Sequence, residues 1–468
     1  MRVVTEWVGV ARLISLQPYD TSTPEGRARE RHRRVLLSAL ASGLAKIISV
    51  ATALISVPLT LHYLGAERYG MWMTISSLAA ILAFADLGIG NGMLNAIAAA
   101  HGRDDRTAIR GYVSSGFFAL GLVSSILLCL FAATYRFVPW ASIFNVQTDI
   151  ARQEVGPAVA GFFACFALSI PLAIVQRVQM ALQRGFLSSL WQCLASTFGL
   201  MGVLFSIHYQ AGLPWLVFAF VGAPLAVSAL NSVIFFGYMQ PEIAPARRAI
   251  TRDAATQLVR TGSLFLVLQL VAAVAYSSDS FVIAQLLGAS SVVEYAVPER
   301  LFSLITMLLA MVLAPLWPAY GEAIARGDVA WVRRTLRRSV AAAAALAFVF
   351  SFPLVWLAPW IIKLWVGKTV VPSMPLLLSL AVWKTIEAGA SSLAVFLNGA
   401  NVVRIQLIVS LITMGAAISL KVLLVPIIGV SGTVWATVIA FTMFALIPYG
   451  FILPNIIKKV YSITLKNI

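Results

Sequence analysis

What most limits this chain is a succession of apolar runs too long for a water-soluble core. The stretches 36–64 and 339–359 each exceed the about 20 apolar residues with which a helix crosses a hydrocarbon layer about 30 Å thick. Buried helices of soluble domains are shorter and keep a polar face. Composition agrees: 60% of the 468 residues are hydrophobic and 11% charged, against roughly a quarter charged in a soluble domain. Inside hydrocarbon every backbone N–H and C=O must be paired within the protein. Runs of this length therefore predict helices, and the chain reads as an all-α polytopic membrane protein.

The runs place about twelve spans, near 36–62, 69–98, 112–134, 155–176, 186–207, 213–236, 261–287, 292–318, 339–358, 375–397, 405–425 and 430–453. Basic residues of short loops mark the cytoplasmic side. With the N-terminus inside, that side gathers most of the loop-borne arginines and lysines, and the periplasmic side holds Arg68, Arg136, Arg152, Lys363 and Lys368. The bias weakens at the ninth and tenth gaps, and Lys458, Lys459 and Lys466 restore it. The expectation is a multi-pass protein of a bacterial inner membrane with both termini cytoplasmic. The net charge of +16 is then a topology signal. It does not indicate nucleic acid, because the basic residues are scattered between apolar runs instead of forming one patch. Cys129, Cys165 and Cys193 lie inside apolar runs and read as packing residues.

The basic segment 237–260, with Pro241, Pro245, Arg247, Arg248 and Arg252, divides the spans six and six. The expected organisation is a cytoplasmic, partly disordered tail over 1–35 and an N-terminal lobe over 36–236. A linker over 237–260, a C-terminal lobe over 261–454 and a cytoplasmic tail over 455–468 follow. An even number of spans per lobe makes any internal repeat parallel. Leu64-Gly65-Ala66 before Tyr69 is echoed by Leu287-Gly288-Ala289 before Tyr295.

Ionisable side chains at mid-bilayer cost roughly 2.5–3.5 kcal/mol each, so they face a partner or water. The spans retain Lys46, Asp86, Asp279, Glu299, Arg300, Lys384, Glu387 and Lys421. Lys384 and Glu387, at i and i+3, can pair on one helix face. Lys421, near a span end, can snorkel, and Glu299 and Arg300 lie near a helix entrance. Lys46 and Asp279 have no such local account. Lys46, Arg300 and Lys384 are expected to line a cationic cavity suited to an anionic substrate such as a pyrophosphate. Asp279, Glu387 and Asp86 are the candidates for a coupling proton or sodium ion, and no cofactor is expected.

The densest motif is Asp86-Leu87-Gly88-Ile89-Gly90-Asn91-Gly92-Met93-Leu94-Asn95. Gly88 and Gly92, four apart, admit a closely packed helix. Asn91 and Asn95 share a face and can bond a neighbouring helix or a substrate. Pro315 and Pro318 mark a kink. No metal-binding, phosphate-loop or nucleophile motif accompanies these residues, so the expectation is a non-enzyme.

The run Leu64-Gly65-Ala66-Glu67-Arg68-Tyr69-Gly70-Met71-Trp72, with Asp86-Leu87-Gly88 and Asn91-Gly92, resembles the N-terminal signature of O-antigen flippases of the Wzx type. Tyr295 to Phe302, Leu316 to Ala323 and Leu397-Asn398-Gly399-Ala400 resemble later segments of that family. The resemblance covers roughly 36–455. It implies membership of the multidrug/oligosaccharidyl-lipid/polysaccharide exporter superfamily, with two six-helix lobes around a central cavity and alternating access. The implied cargo is an oligosaccharide on undecaprenyl pyrophosphate, moved by an ion-coupled, monomeric protein. The other implied partners are the lipid bilayer and the pathway's polymerase and glycosyltransferases. A drug/cation antiporter of the same superfamily remains an alternative. A membrane-embedded glycan transferase or ligase is a weaker one, because the longest periplasmic loop, 135–154, is short.

Overall fold

The computed structural model describes residues 19–466 other than 21, 83, 145 and 367–370. Lys368 and the first part of the expected N-terminal tail lie outside them. The described residues form helices α1 Pro24–Leu82, α2 Ile89–Gly102, α3 Arg106–Tyr135, the single turn α4 Trp140–Ile143, α5 Asp149–Leu172, α6 Ile174–Ala181, α7 Gly185–His208 and α8 Leu213–Ile234. After two short 3-10 turns come α9 Arg252–Leu287, α10 Ala289–Leu313, α11 Leu316–Ala325, α12 Val329–Val366, α13 Met374–Gly399, α14 Val403–Ile428, α15 Ser431–Phe441 and α16 Ile447–Lys466.

Eleven of the described helical stretches are long and apolar enough to cross a membrane. The difference from about twelve lies at the expected span 69–98. There α1 ends at Leu82 and α2 starts at Ile89, across a turn in which Leu87 and Gly88 take positive φ of 51° and 71°. Neither half reaches the length of a single span. The first helix also starts earlier than expected: residues 24–35 are helical, beginning at Pro24. Proline suits a first helical turn, and Glu30 pairs with Arg33 and Arg34 one turn on. Likewise α9 begins at Arg252, inside the stretch expected to be linker.

The chain divides into two compact units between Ser263 and Leu264. The first packs around Met71, Trp72, Ile75, Val155, Phe162 and Leu216. The second packs around Ile283, Phe302, Val355, Leu377, Leu380 and Val434. Outside these cores many large apolar side chains are exposed, such as Leu54, Phe137, Phe281 and Phe451. Such an apolar exterior suits lipid as the surrounding medium.

The two units follow the same path. Each starts with a long helix broken at glycine: Gly65 at φ 75°, ψ 169° and Gly288 at φ 92°, ψ 160°. That backbone region is accessible essentially to glycine alone. A short helix follows in each unit, α2 or α11, and then left-handed turns at matching junctions. Asp104 corresponds to Gly327, Gln183 to Asn401 and Gln210 to Gly429. In each unit a π-helical turn follows the helix after the last of these junctions, Phe235–Met239 or Thr442–Leu446. The three-letter echo in the sequence thus marks a repeated backbone bend.

Candidate functional site

Four helices of the second unit bring charged and phenolic side chains into one cluster. On α9 the polar run Tyr276 to Ser280 places Tyr276 and Asp279 one turn apart. On α10, Tyr295 and Glu299 share a face. Lys384 and Glu387 come from α13, and Lys421 comes from α14. Lys421 forms an ion pair with Asp279 and donates to Ser278 Oγ at 2.9 Å. The Tyr295 hydroxyl donates to Asp279 Oδ2 at 2.7 Å. The Tyr276 hydroxyl donates to Glu387 Oε1 at 2.6 Å. Lys384 Nζ lies 2.9 Å from Glu387 Oε2 and 3.4 Å from Glu299 Oε1.

This geometry corrects one expectation. Lys421 does not snorkel: it is 2% exposed, because Asp279 and Ser278 offer it a polar niche inside the unit. Lys384 is equally buried and held between two carboxylates, which bears out the pairing with Glu387 that its spacing allows. Two lysines face Asp279, Glu299 and Glu387, which leaves the cluster one negative charge in surplus. Glu299 is the least compensated member. It has one long contact, and its side chain is 31% exposed.

Lys46 and Arg300 behave differently. Both are exposed, and neither side chain makes a hydrogen bond or ion pair among the described residues. Arg300 sits beside Glu299 in sequence, yet Glu299 bonds Lys384. Of Lys46, Arg300, Lys384 and Lys421, these two have no charged partner among the described residues.

Asp86 sits at the helix break. Its Oδ1 accepts from the Gly88 N–H at 2.9 Å. A Cβ placed on Gly90 would lie 2.8 Å from Asp86 Oδ2 and 3.2 Å from Arg177 Nε. Asp86 therefore holds the turn and faces Arg177 across a glycine with no side chain to part them. Asn95 is buried and Asn91 half-buried on α2. Gly92 meets α9 where a Cβ would come within 3.2 Å of the Gly262 nitrogen, the close approach its spacing predicts. The later motifs also pack on each other. A Cβ on Gly399 would fall 2.7 Å from the Trp317 carbonyl oxygen.

Spacing alone exposed the Lys384–Glu387 pair. It could not show that Tyr276, Tyr295 and Glu299 complete the cluster, although the run Tyr276 to Ser280 was a visible signal. Arg177 gave no sign of its role, since it reads as one more loop arginine. Among the described residues no group of three His, Cys, Asp or Glu side chains is placed to hold a metal ion.

Residues 35–324 match the family described as polysaccharide biosynthesis protein. The chain belongs to that family. Among curated relatives, one from Salmonella typhi named "Putative O-antigen transporter" is 25% identical over 292 residues. The match covers 62% of this chain and 65% of the relative. Another from Yersinia pseudotuberculosis, named "Putative O-antigen export protein", is 22% identical over 305 residues, with the same two shares. The chain thus spans just under two thirds of the length of the curated relatives it matches.

This family member also shares its fold with solved transporters. A MATE crystal structure in complex with MaD3S superposes with a TM-score of 0.77 at 14% identity, covering 91% of this chain and 97% of the other. A MOP superfamily transporter from Pyrococcus furiosus, whose description reports reverse polarity of its binding pocket, gives 0.75 at 12% identity, over 91% and 95%. At such identities the likeness establishes the fold alone, the all-helical architecture of those solved proteins.

Proposed function

We propose that this protein flips undecaprenyl-pyrophosphate-linked oligosaccharide repeat units from the cytoplasmic to the periplasmic leaflet of a bacterial inner membrane by alternating access. Both termini are cytoplasmic in this reading, as the basic-loop bias indicates. Family membership and the relatives' names support the cargo class. The observation that carries the reading is that each unit exposes a cation within its apolar spans, Lys46 in the first and Arg300 in the second, with no counter-charge among the described residues. A pyrophosphate and its sugars cannot enter hydrocarbon without losing every water partner. Cations that no internal carboxylate neutralises can replace that hydration, and the polyprenyl tail can stay in lipid throughout.

The surplus carboxylate of the second unit supplies an ion-coupling group. Glu299 and Glu387 share Lys384, which leaves one carboxylate in excess to meet a coupling ion. Asp279 is matched by Lys421, and Asp86 attends Arg177, which makes both poorer candidates than the sequence suggested. The same surplus charge also supports a second reading, a drug/cation antiporter, because a buried acid is what a cationic substrate would seek.

Reconstituted vesicles separate the two. With a fluorescent lipid-linked oligosaccharide, Lys46→Ala and Arg300→Ala should abolish leaflet transfer at unchanged protein level, and Glu299→Gln should remove its dependence on an ion gradient. Normal transfer by both cation variants would overturn the anionic-cargo reading. Gradient-driven uptake of a cationic dye without glycan transfer would establish the antiporter.

A further inference from the structure

One cationic feature at an end of the first unit is not used by the flipping mechanism. Arg184 precedes α7 and caps it through its backbone, with no side-chain cap bond. Its guanidinium is half-buried and makes no hydrogen bond or ion pair among the described residues. The next residue, Gly185, packs on α1: a Cβ there would lie 3.1 Å from Ser38 Oγ. One helical turn further on, Ser42 Oγ and Ser189 Oγ are 3.0 Å apart. Arg34, one turn before Ser38, is thereby brought beside Arg184. Arg106, the first residue of α3, is exposed and bonds Gln240 Oε1 at 3.0 Å. Burial, and then the charges of Arg34 and Arg106, lower the Arg184 pKa from its ordinary value.

Nearby acids do not neutralise the group. Glu30 is shared between Arg33 and Arg34 at 2.7 and 2.8 Å. Asp105 is engaged as the cap of α3, accepting from the Ala108 N–H at 2.9 Å. A topology-setting arginine has no need of this arrangement, and Arg247 and Arg248 are simply exposed. A half-buried guanidinium with its N–H donors unused is costly, and more so beside like charges. A multivalent oxyanion relieves both costs, since arginine forks match phosphate geometry and the N-terminus of α7 adds its partial positive charge.

We propose that Arg184, flanked by Arg34 and Arg106 at the N-terminus of α7, forms a binding site for a phosphate-bearing anion in the first unit, where α3 and α7 begin beside the third turn of α1. All three arginines lie just outside apolar runs, so the site sits at headgroup depth. Two sources carry that chemistry: the pyrophosphate of an arriving lipid-linked cargo, or the phosphodiester of an anionic phospholipid.

The test uses the full chain in phosphatidylcholine nanodiscs. Binding of inorganic pyrophosphate is titrated, and retention of phosphatidylglycerol from mixed nanodiscs is measured separately. Arg184→Gln should weaken pyrophosphate binding about tenfold or more, the loss expected for a charged hydrogen-bonding partner. Arg247→Gln should leave it unchanged. If pyrophosphate does not bind but phosphatidylglycerol retention falls in Arg184→Gln alone, the site stands with a lipid headgroup as its occupant. If Arg184→Gln alters neither measurement, or alters them no more than Arg247→Gln does, the site is refuted. Both readouts are equilibrium binding, so they hold or fail independently of transport.

Discussion

Replacing Lys421 with methionine tests the central contact of the second unit. The substitution keeps an unbranched apolar stem but removes the charge paired with Asp279. Asp279 then retains only the Tyr295 hydroxyl, in a place where its side chain is 14% exposed. Breaking a buried ion pair from one side costs about 3–5 kcal/mol, and the residual exposure of Asp279 places this case at the lower end, about 3 kcal/mol. Asp279→Asn leaves Lys421 with Ser278 and should cost a similar amount. The double variant buries two neutral groups, so its loss should fall short of the summed singles by about 2 kcal/mol or more. Reversible denaturant unfolding of the purified protein in detergent gives the three values. A double variant whose loss equals the sum within about 0.5 kcal/mol would show that the two side chains do not interact, and the cluster would have to be abandoned.

Three shorter predictions follow from the same geometry. Gly65→Ala and Gly288→Ala meet no atom within 4 Å, so each should cost about 1–3 kcal/mol from backbone strain alone. Gly43→Ala, equally unobstructed within the helix, should stabilise by about 1 kcal/mol; equal effects at all three positions would contradict the bends. Lys46→Ala and Arg300→Ala should leave the unfolding midpoint unchanged while transport is lost, and a lowered midpoint would mean that both are structural. Glu67 accepts hydrogen bonds from the Thr148 hydroxyl and the Gln147 N–H, which hold its carboxyl below the usual range. Its stabilising contacts are therefore complete above the ordinary carboxylate pKa and lost as pH falls through the lowered value. Glu67→Gln should lower the melting temperature at pH 7 and cease to matter in strong acid, and a pH-independent difference would exclude this role.

Length and hydropathy made the helical, membrane-spanning class legible, because lipid allows few alternatives to a paired backbone. The repeat was legible only as three letters. Its real carrier is backbone conformation, which glycine hints at and which Asp104, Gln183 and Asn401 adopt without announcing it. The break between Leu82 and Ile89 was hidden for the opposite reason. Leu87 takes a positive φ despite being leucine, and hydropathy ran through the break as if α1 and α2 were one span.

The candidate site shows where residue inventory stops and geometry begins. Lys46, Arg300, Lys384 and Lys421 carry the same insertion cost as intramembrane cations, and spacing offered a carboxylate partner on the same helix face only for Lys384. Folding divides them by the reach of the nearest carboxylate. Lys384 is drawn onto Glu387 of its own helix and Glu299 of a neighbour, and Lys421 onto Asp279 of another helix, so their charge disappears into the packing. Lys46 and Arg300 find none and keep a charge to offer, at the cost of staying exposed. An anionic cargo would be selected by the cations the fold fails to neutralise, and a coupling ion by the carboxylate it fails to neutralise. The same rule picks out Arg184 at the end of the first unit, where the uncompensated charge is again the group free to bind something from outside the chain.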